Sequence, residues 1–261
     1  MTASTTTLSF SSSTTEILPG ASYIIGVSAG PEGSPPTDVT LEFTANKVSA
    51  DITQNSGFTP TSATLDFTGR RAFLTDSVTG APIEGNPAFQ TVNFDQLTSD
   101  NFQLFDASVT LNGETLKNTG TVDMTSQDRM AINADIKGDG MFFIQFGSAL
   151  TLNDSVGRHQ TFDMGPGSTL NVNDPHSFYG HVNVIQSSTE GFFGVNLAGL
   201  VATSYDYNDD VLTLFANDQV IDRLSFTDSA GFTVFNSPSG VAVSNDLSNP
   251  GLPVHTHNAG V

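Results

Sequence analysis

The densest run of residues able to do chemistry is Tyr205-Asp206-Tyr207-Asn208-Asp209-Asp210. Two carboxylates flanking a glycosidic bond can act as acid and base, and oxygen-rich turns suit hard cations such as calcium. The run sits between two strand candidates, where Asp and Asn are favoured by turn geometry itself. Its first reading is therefore a hairpin turn, with Asp206, Asp209 and Asp210 as candidate calcium ligands. The spacing is not that of an EF-hand loop. His255 and His257, two apart near the C-terminus, would share one side of a strand, as metal ligands can. In a three-fold assembly, such pairs would offer a ring of nitrogens. His176 and His181 flank a turn and read as corner residues. Gly138-Asp139-Gly140 and Gly165-Pro166-Gly167 are turn punctuation, since no strand–glycine-loop–helix unit surrounds them. Ser155 and His159 are neighbours without a nucleophile elbow. No catalytic constellation emerges, and the expectation is a protein that is not an enzyme and holds no obligatory cofactor.

The composition narrows the remaining classes. The chain has 261 residues, 27 acidic against 8 basic, for a net charge of −19. Only 13% of residues are charged, about half the usual share, so the surface must consist largely of Thr, Ser, Asn, Gln and Gly. That mixture suits ladders and turns better than helices. Nucleic acid is disfavoured as a partner because the basic residues are scattered, Arg70-Arg71 being the only adjacent pair. Anionic lipid is disfavoured for the same reason. No apolar window is long enough for a membrane-spanning helix, so no membrane insertion is expected. Cysteine is absent, which rules out disulfides and thiolate metal sites. Met1 to Leu8 contain neither a basic start nor an apolar stretch of the secretory kind.

The elements follow a period of two. Val39, Leu41 and Phe43 alternate with Thr40, Glu42 and Thr44, and similar strands recur at Ala63–Phe67 and Ala72–Leu74. Turn clusters separate them, so residues 17–100 read as a β-sandwich-like unit. Residues 1–16, rich in Ser and Thr, read as a flexible or strand-exchange arm. Leu8 and Phe10 lie on one side of it and are the candidate assembly residues. From about residue 101 to 243, short apolar runs such as Ile132–Ile136, Met141–Phe146, Leu150–Leu152 and Val182–Ile185 end at Gly or Asn. Runs of that length with small polar corners are what a β-solenoid needs, each coil burying one inward row. A second sandwich would also fit the alternation, and no single numerical period is read across the runs. Residues 244–261 read as a polar tail.

Three blocks carry a resemblance. They are Leu116-Lys117-Asn118-Thr119-Gly120-Thr121-Val122, then Gln160 to Val182 with Asp174-Pro175-His176-Ser177-Phe178, and then Val195 to Leu200 with Val211–Leu214. Over about residues 105–243 these resemble the coils of bacterial autotransporter- and adhesin-like β-helix repeat proteins. The resemblance implies a right-handed parallel β-helix (solenoid) and an inward-facing Phe178; joined to the N-terminal β-sandwich-like part read from its own alternation, the expected fold is all-β. It also implies an extracellular or cell-surface location without attached chemistry. The expected role is a structural protein that self-assembles as a homo-oligomer, filament, lattice or biofilm-type matrix, or one that mediates adhesion. The alternatives are a carbohydrate-binding adhesin module, with Tyr179, Tyr205 and Tyr207 stacking on surface glycans, and a polysaccharide-processing β-helix enzyme.

Overall fold

The computed structural model describes residues 108–255 with their side chains, apart from 125–126, 186–190, 228–230, 247 and 249. N-terminal to these it describes the backbone of seven strands and the side chains of Phe94 and Leu97. Those strands are β1 (Thr5–Ser9), β2 (Thr15–Ile17), β3 (Ser22–Val27), β4 (Val39–Phe43), β5 (Lys47–Gln54), β6 (Ala63–Thr75) and β7 (Thr91–Leu104). The coils that follow are built from β8 (Ser108–Met124), β9 (Arg129–Lys137), β10 (Met141–Ile144), β11 (Ala149–Leu152), β12 (Thr161–Met164), β13 (Thr169–Val172), β14 (His181–Val184) and β15 (Gly194–Ala198). The last five are β16 (Ser204–Asn208), β17 (Val211–Ala216), β18 (Gln219–Asp228), β19 (Thr233–Ser237) and β20 (Gly240–Ser244). Among the described residues there is no α-helix, only a 3-10 turn at Pro175–Ser177.

Pairing is parallel and, apart from the long β8 that also pairs with β9, skips one strand at each step. β8 pairs with β10, β10 with β12 and β12 with β14, while β9, β11, β13 and β15 form a second ladder. A third, shorter line joins Ile136, Val156 and Phe178 by single bridges. The result is a parallel β-solenoid of about four turns. Each four-residue strand alternates between half-buried and buried positions, so every coil sends two apolar side chains per strand into a shared core. Those rows run Val122, Phe142, Phe162, Val182 on one side and Met130, Leu150, Leu170, Val195 on the other. All are buried, and so is Phe178, at 4% exposure.

The coils do have a numerical period, which the apolar runs alone concealed. Stacked partners are 20 residues apart in the central coils and 25 apart where an extra loop enters before β15. The period is hard to see because each row mixes Val, Phe, Met and Leu, and inserted residues interrupt it.

The corners are built as carefully as the rows. Gly147 and Gly167 stack at one corner with φ of 82° and 71°, a region glycine enters without steric cost. The serine after each is buried and bonded: Ser148 Oγ accepts from Asp128 N–H at 3.1 Å and Ser168 Oγ donates to Gly165 O at 2.6 Å. At another corner Asn118 and Gln160, both fully buried, pair across 42 residues through their amides at 3.1 Å. Gln160 also donates to the carbonyls of Asn118 and Lys137. Gly140 lies between them, where a Cβ would sit 2.5 Å from Asn118 Cγ.

Two boundaries differ from expectation. Parallel stacking does not run unbroken to residue 243: one ladder ends at β15, while the other gains a last parallel strand, β18, on β14. β20 then adds antiparallel to β15, and β16, β17 and β18 form an antiparallel meander whose last strand pairs with β14. These strands cover the edges of the last coil as a cap, because an open edge would otherwise leave unpaired backbone groups. The segment expected as a polar tail docks on that cap through Leu252 N–H to Val234 O and His255 N–H to Tyr205 O, both 2.6 Å. In the N-terminal part, expected as sandwich-like, every pairing of the described strands is parallel, and most keep the same skipping order. β1, within the segment read as an exchange arm, pairs with β3 of its own chain and sets Leu8 opposite Ile25. Phe10 lies outside the described residues.

Candidate binding surfaces on the cap and coils

The acidic run forms the β16–β17 hairpin. Asp209 and Asp210 occupy its two central positions with φ of 49° and 59°, the left-handed geometry of the tight turns that match strand twist. Turn formation thus accounts for both residues. Asp206 stands away from the turn on β16, in register with Thr213. The candidate calcium ligands are spread along the hairpin, and no group of three or more His, Asp or Glu side chains poised for a metal occurs among the described residues.

His255 is held by the cap rather than presented to solvent. Its ring stacks on Phe215 at 4.1 Å, and its Nδ1 lies 3.4 Å from Ser204 Oγ and 3.7 Å from Asp218 Oδ1. His257 lies outside the described residues. His181 Nδ1 and Nε2 reach Ser225 and Thr227 of β18 at 2.7 and 3.1 Å. The histidine therefore sits at the seam between the last coil and the cap.

The hairpin's aromatic residues form a more coherent feature. Tyr207 meets Phe232 edge-on at 5.0 Å and Phe226 at 6.4 Å, while Tyr205 lies 6.1 Å from Phe232. The Tyr207 hydroxyl donates to Phe226 O at 3.0 Å, which fixes its ring. Together Tyr205, Asp206, Tyr207, Gly231, Phe232 and Val254 line an open cleft of about 310 Å³. Tyr179, expected to join the same platform, does not line this cleft and stands 5.8 Å from the Arg158 guanidinium instead. Composition alone did not single out Phe232, which lies 25 residues beyond Tyr207 in the chain and is brought beside it only by the meander.

Two partly buried carboxylates, Asp123 on β8 of the coils and Asp222 on β18 of the cap, sit above the ordinary range. Burial, and then the neighbouring Asp128 carboxylate, push Asp123 above the usual carboxylate range. One Asp123 carboxylate oxygen is buried without a hydrogen-bond partner. Burial also raises Asp222, opposed by the Arg223 backbone N–H and His176 and reinforced by Asp174.

The fold and these surfaces define the class: a parallel β-solenoid whose last coil is closed by an antiparallel, aromatic-rich cap. Comparison with protein-family models, with curated proteins and with solved structures finds no match to the chain.

Proposed function

We propose that the chain is a non-catalytic adhesion module of the secreted or cell-surface kind, in which stacked coils form a stiff body and the cap cleft binds surface glycans. The observation that carries this reading is the cleft itself, with aromatic rings beside one carboxylate. The apolar faces of a sugar ring pack against Tyr and Phe rings, and a carboxylate accepts hydrogen bonds from sugar hydroxyls. A few polar groups in an aromatic-lined hollow are the usual composition of small-ligand sites. The net charge of −19 repels uronates and sulfated sugars, so neutral or amino sugars are the matching class.

The test is direct binding of neutral, amino-sugar and uronate oligosaccharides to the full chain. Neutral or amino sugars should bind, Tyr205→Ala should weaken binding at least tenfold, and Asp206→Asn should weaken it less. The sugars should be recovered intact. Absence of binding to every class, or binding untouched by Tyr205→Ala, overturns the glycan reading. Cleavage of the bound sugar overturns the non-catalytic one.

A further inference from the structure

The outward side of the ladder formed by β9, β11, β13 and β15 is unlike the rest of this acidic protein. Its central outward residues are Ala131, Thr151, Asn171 and Asn196, and two residues beyond the first three lie Asn133 within β9 and Asn153 and Asn173 just past β11 and β13. From Arg129 to Asn133 and at the stacked positions of β11, β13 and β15 no outward residue is acidic and the single charge is Arg129, with Asp135, Asp154 and Asp174 bordering the asparagine column. That guanidinium is turned back onto the carbonyls of Gln127, Asp128 and Gly147 at 3.2, 2.9 and 2.7 Å. The outward side of the companion ladder, in contrast, carries Asp123 and Asp163, and the short third line carries Asp135.

The amides on the neutral side are already ordered. Asn133 donates to Asn112 at 2.6 Å, Asn153 to Asn133, and Asn173 to Asn153. Asn196 donates to Asn171 at 2.8 Å, and Asn171 to Thr151 at 3.3 Å. Each amide uses one of its two N–H groups in its ladder, and each oxygen has two acceptor sites. Held in these ladders, the amides have little side-chain freedom left to lose.

We propose that this side of the solenoid is a homotypic contact surface on which a second copy of the chain packs side by side. Charge selects that occupant. A neutral polymer meets no repulsion from carboxylates and needs no acid-free surface, whereas another chain of charge −19 does. Amides are self-complementary, each being donor and acceptor, as a two-fold contact between identical surfaces requires. The backbone register carries the side one strand further, to Thr91 and Asn93 of β7, opposite Thr110 and Asn112. At strand spacings of about 4.8 Å, six strands of this length make a contact of roughly 1,000 Å² summed over two copies. That size fits a reversible, concentration-dependent pair. Salt strengthens it by screening the net charge of the two bodies. The pairing is independent of the glycan cleft, which lies on the cap.

Sedimentation and light scattering of the full chain at low and high salt test this. The mass should rise from one chain toward two with concentration, and more readily at high salt. Ala131→Glu combined with Ala149→Glu removes no hydrogen bond of the ladders and should hold the protein monomeric at all salts. Thr115→Glu combined with Thr161→Glu adds the same charge elsewhere on the coils and should associate like the parent. Because the chain has no cysteine, T151C and T161C provide a second readout that does not depend on the charge variants. A thiol cross-linker should give dimers from T151C and not from T161C. A parent that stays monomeric at high concentration and high salt overturns the proposal, as does equal cross-linking of both single variants. So does retention on an insoluble neutral polysaccharide that the Ala131→Glu, Ala149→Glu protein loses while the parent remains monomeric.

Discussion

Phe142 and Phe162, one coil apart, stack with ring planes 4° apart and centroids 5.0 Å apart, whereas Tyr207 and Phe232 in the cap meet at 90° across the same distance. In-register parallel strands place like residues one strand spacing apart in the same orientation, so neighbouring rings lie flat on one another. Antiparallel strands that fold back over an edge bring residues from different directions, and rings fill the space edge-on. The coils thus form a row in which each layer depends mainly on the two beside it. In the cap, Phe226 touches Phe193, Tyr207 and Phe232, so one ring joins several strands. The contrast separates growth from termination. Parallel coils can repeat without limit; here an antiparallel strand closes the β15 ladder, and on the other ladder the parallel β18 is tied back by its antiparallel partner β17.

The largest expected effects probe that contrast directly. Phe162→Ala and Phe226→Ala each remove a fully buried ring and should each cost about 3–5 kcal/mol in chemical denaturation. Their hydrogen-exchange patterns should differ. Phe226→Ala should expose β16–β18 while β9–β12 keep their protection, and Phe162→Ala should loosen the coils on both sides. Identical patterns would show that coils and cap unfold as one unit.

Gly140→Ala should come next, at about 1–3 kcal/mol for overpacking a filled site, because the new methyl meets the Asn118 amide. The urea midpoint reports it. Gly194→Ala, where no atom lies within 4 Å of the added carbon, is the matched control and should shift the midpoint far less. In the cap, Asp209→Val puts a branched side chain at φ 49° and should cost about 1–2 kcal/mol. Asp209→Asn should be close to neutral, since Asn tolerates that region. A large loss on Asp209→Asn would point to the carboxylate rather than the turn.

The smallest effect concerns pH. The folded state holds Asp123 protonated more readily than the unfolded chain does, through burial and Asp128. Native protein then binds more protons over the window between the unfolded value near 3.8 and the raised folded one, so stability falls as pH rises through that window. Asp123→Asn should therefore raise the melting temperature slightly at neutral pH, with the gain vanishing toward pH 3.8. A gain that grows on acidification would reverse the sign and remove desolvation as the cause.

Much of the architecture could be read from residue order. Two-residue alternation at Ile132, Ala134 and Ile136, with Gly and Asn at the ends of short runs, indicates strands and corners because the period and the turn chemistry are local. The inward Phe178 and the hairpin at Asp209-Asp210 were legible for the same reason. The 20-residue repeat was present but masked by residues of different shape occupying equivalent positions.

What residue order could not determine was how strands beyond the coils would pair. Alternation at Val211–Leu214 and Val241–Val243 is the same whether the neighbour runs parallel or antiparallel, so it concealed the change from coil to cap. The binding cleft also depends on that choice, since Phe232 and Val254 reach Tyr205 and Tyr207 only after the meander closes. The acid-free side emerges in the same way. Asn133, Asn153 and Asn173 are spread along the chain, and only coil stacking aligns them into one surface. Local sequence set the strands, the corners and the charge, because those follow from backbone preference and composition. Strand direction, the cleft and the neutral surface required tertiary structure, because each is made by residues brought together across the fold.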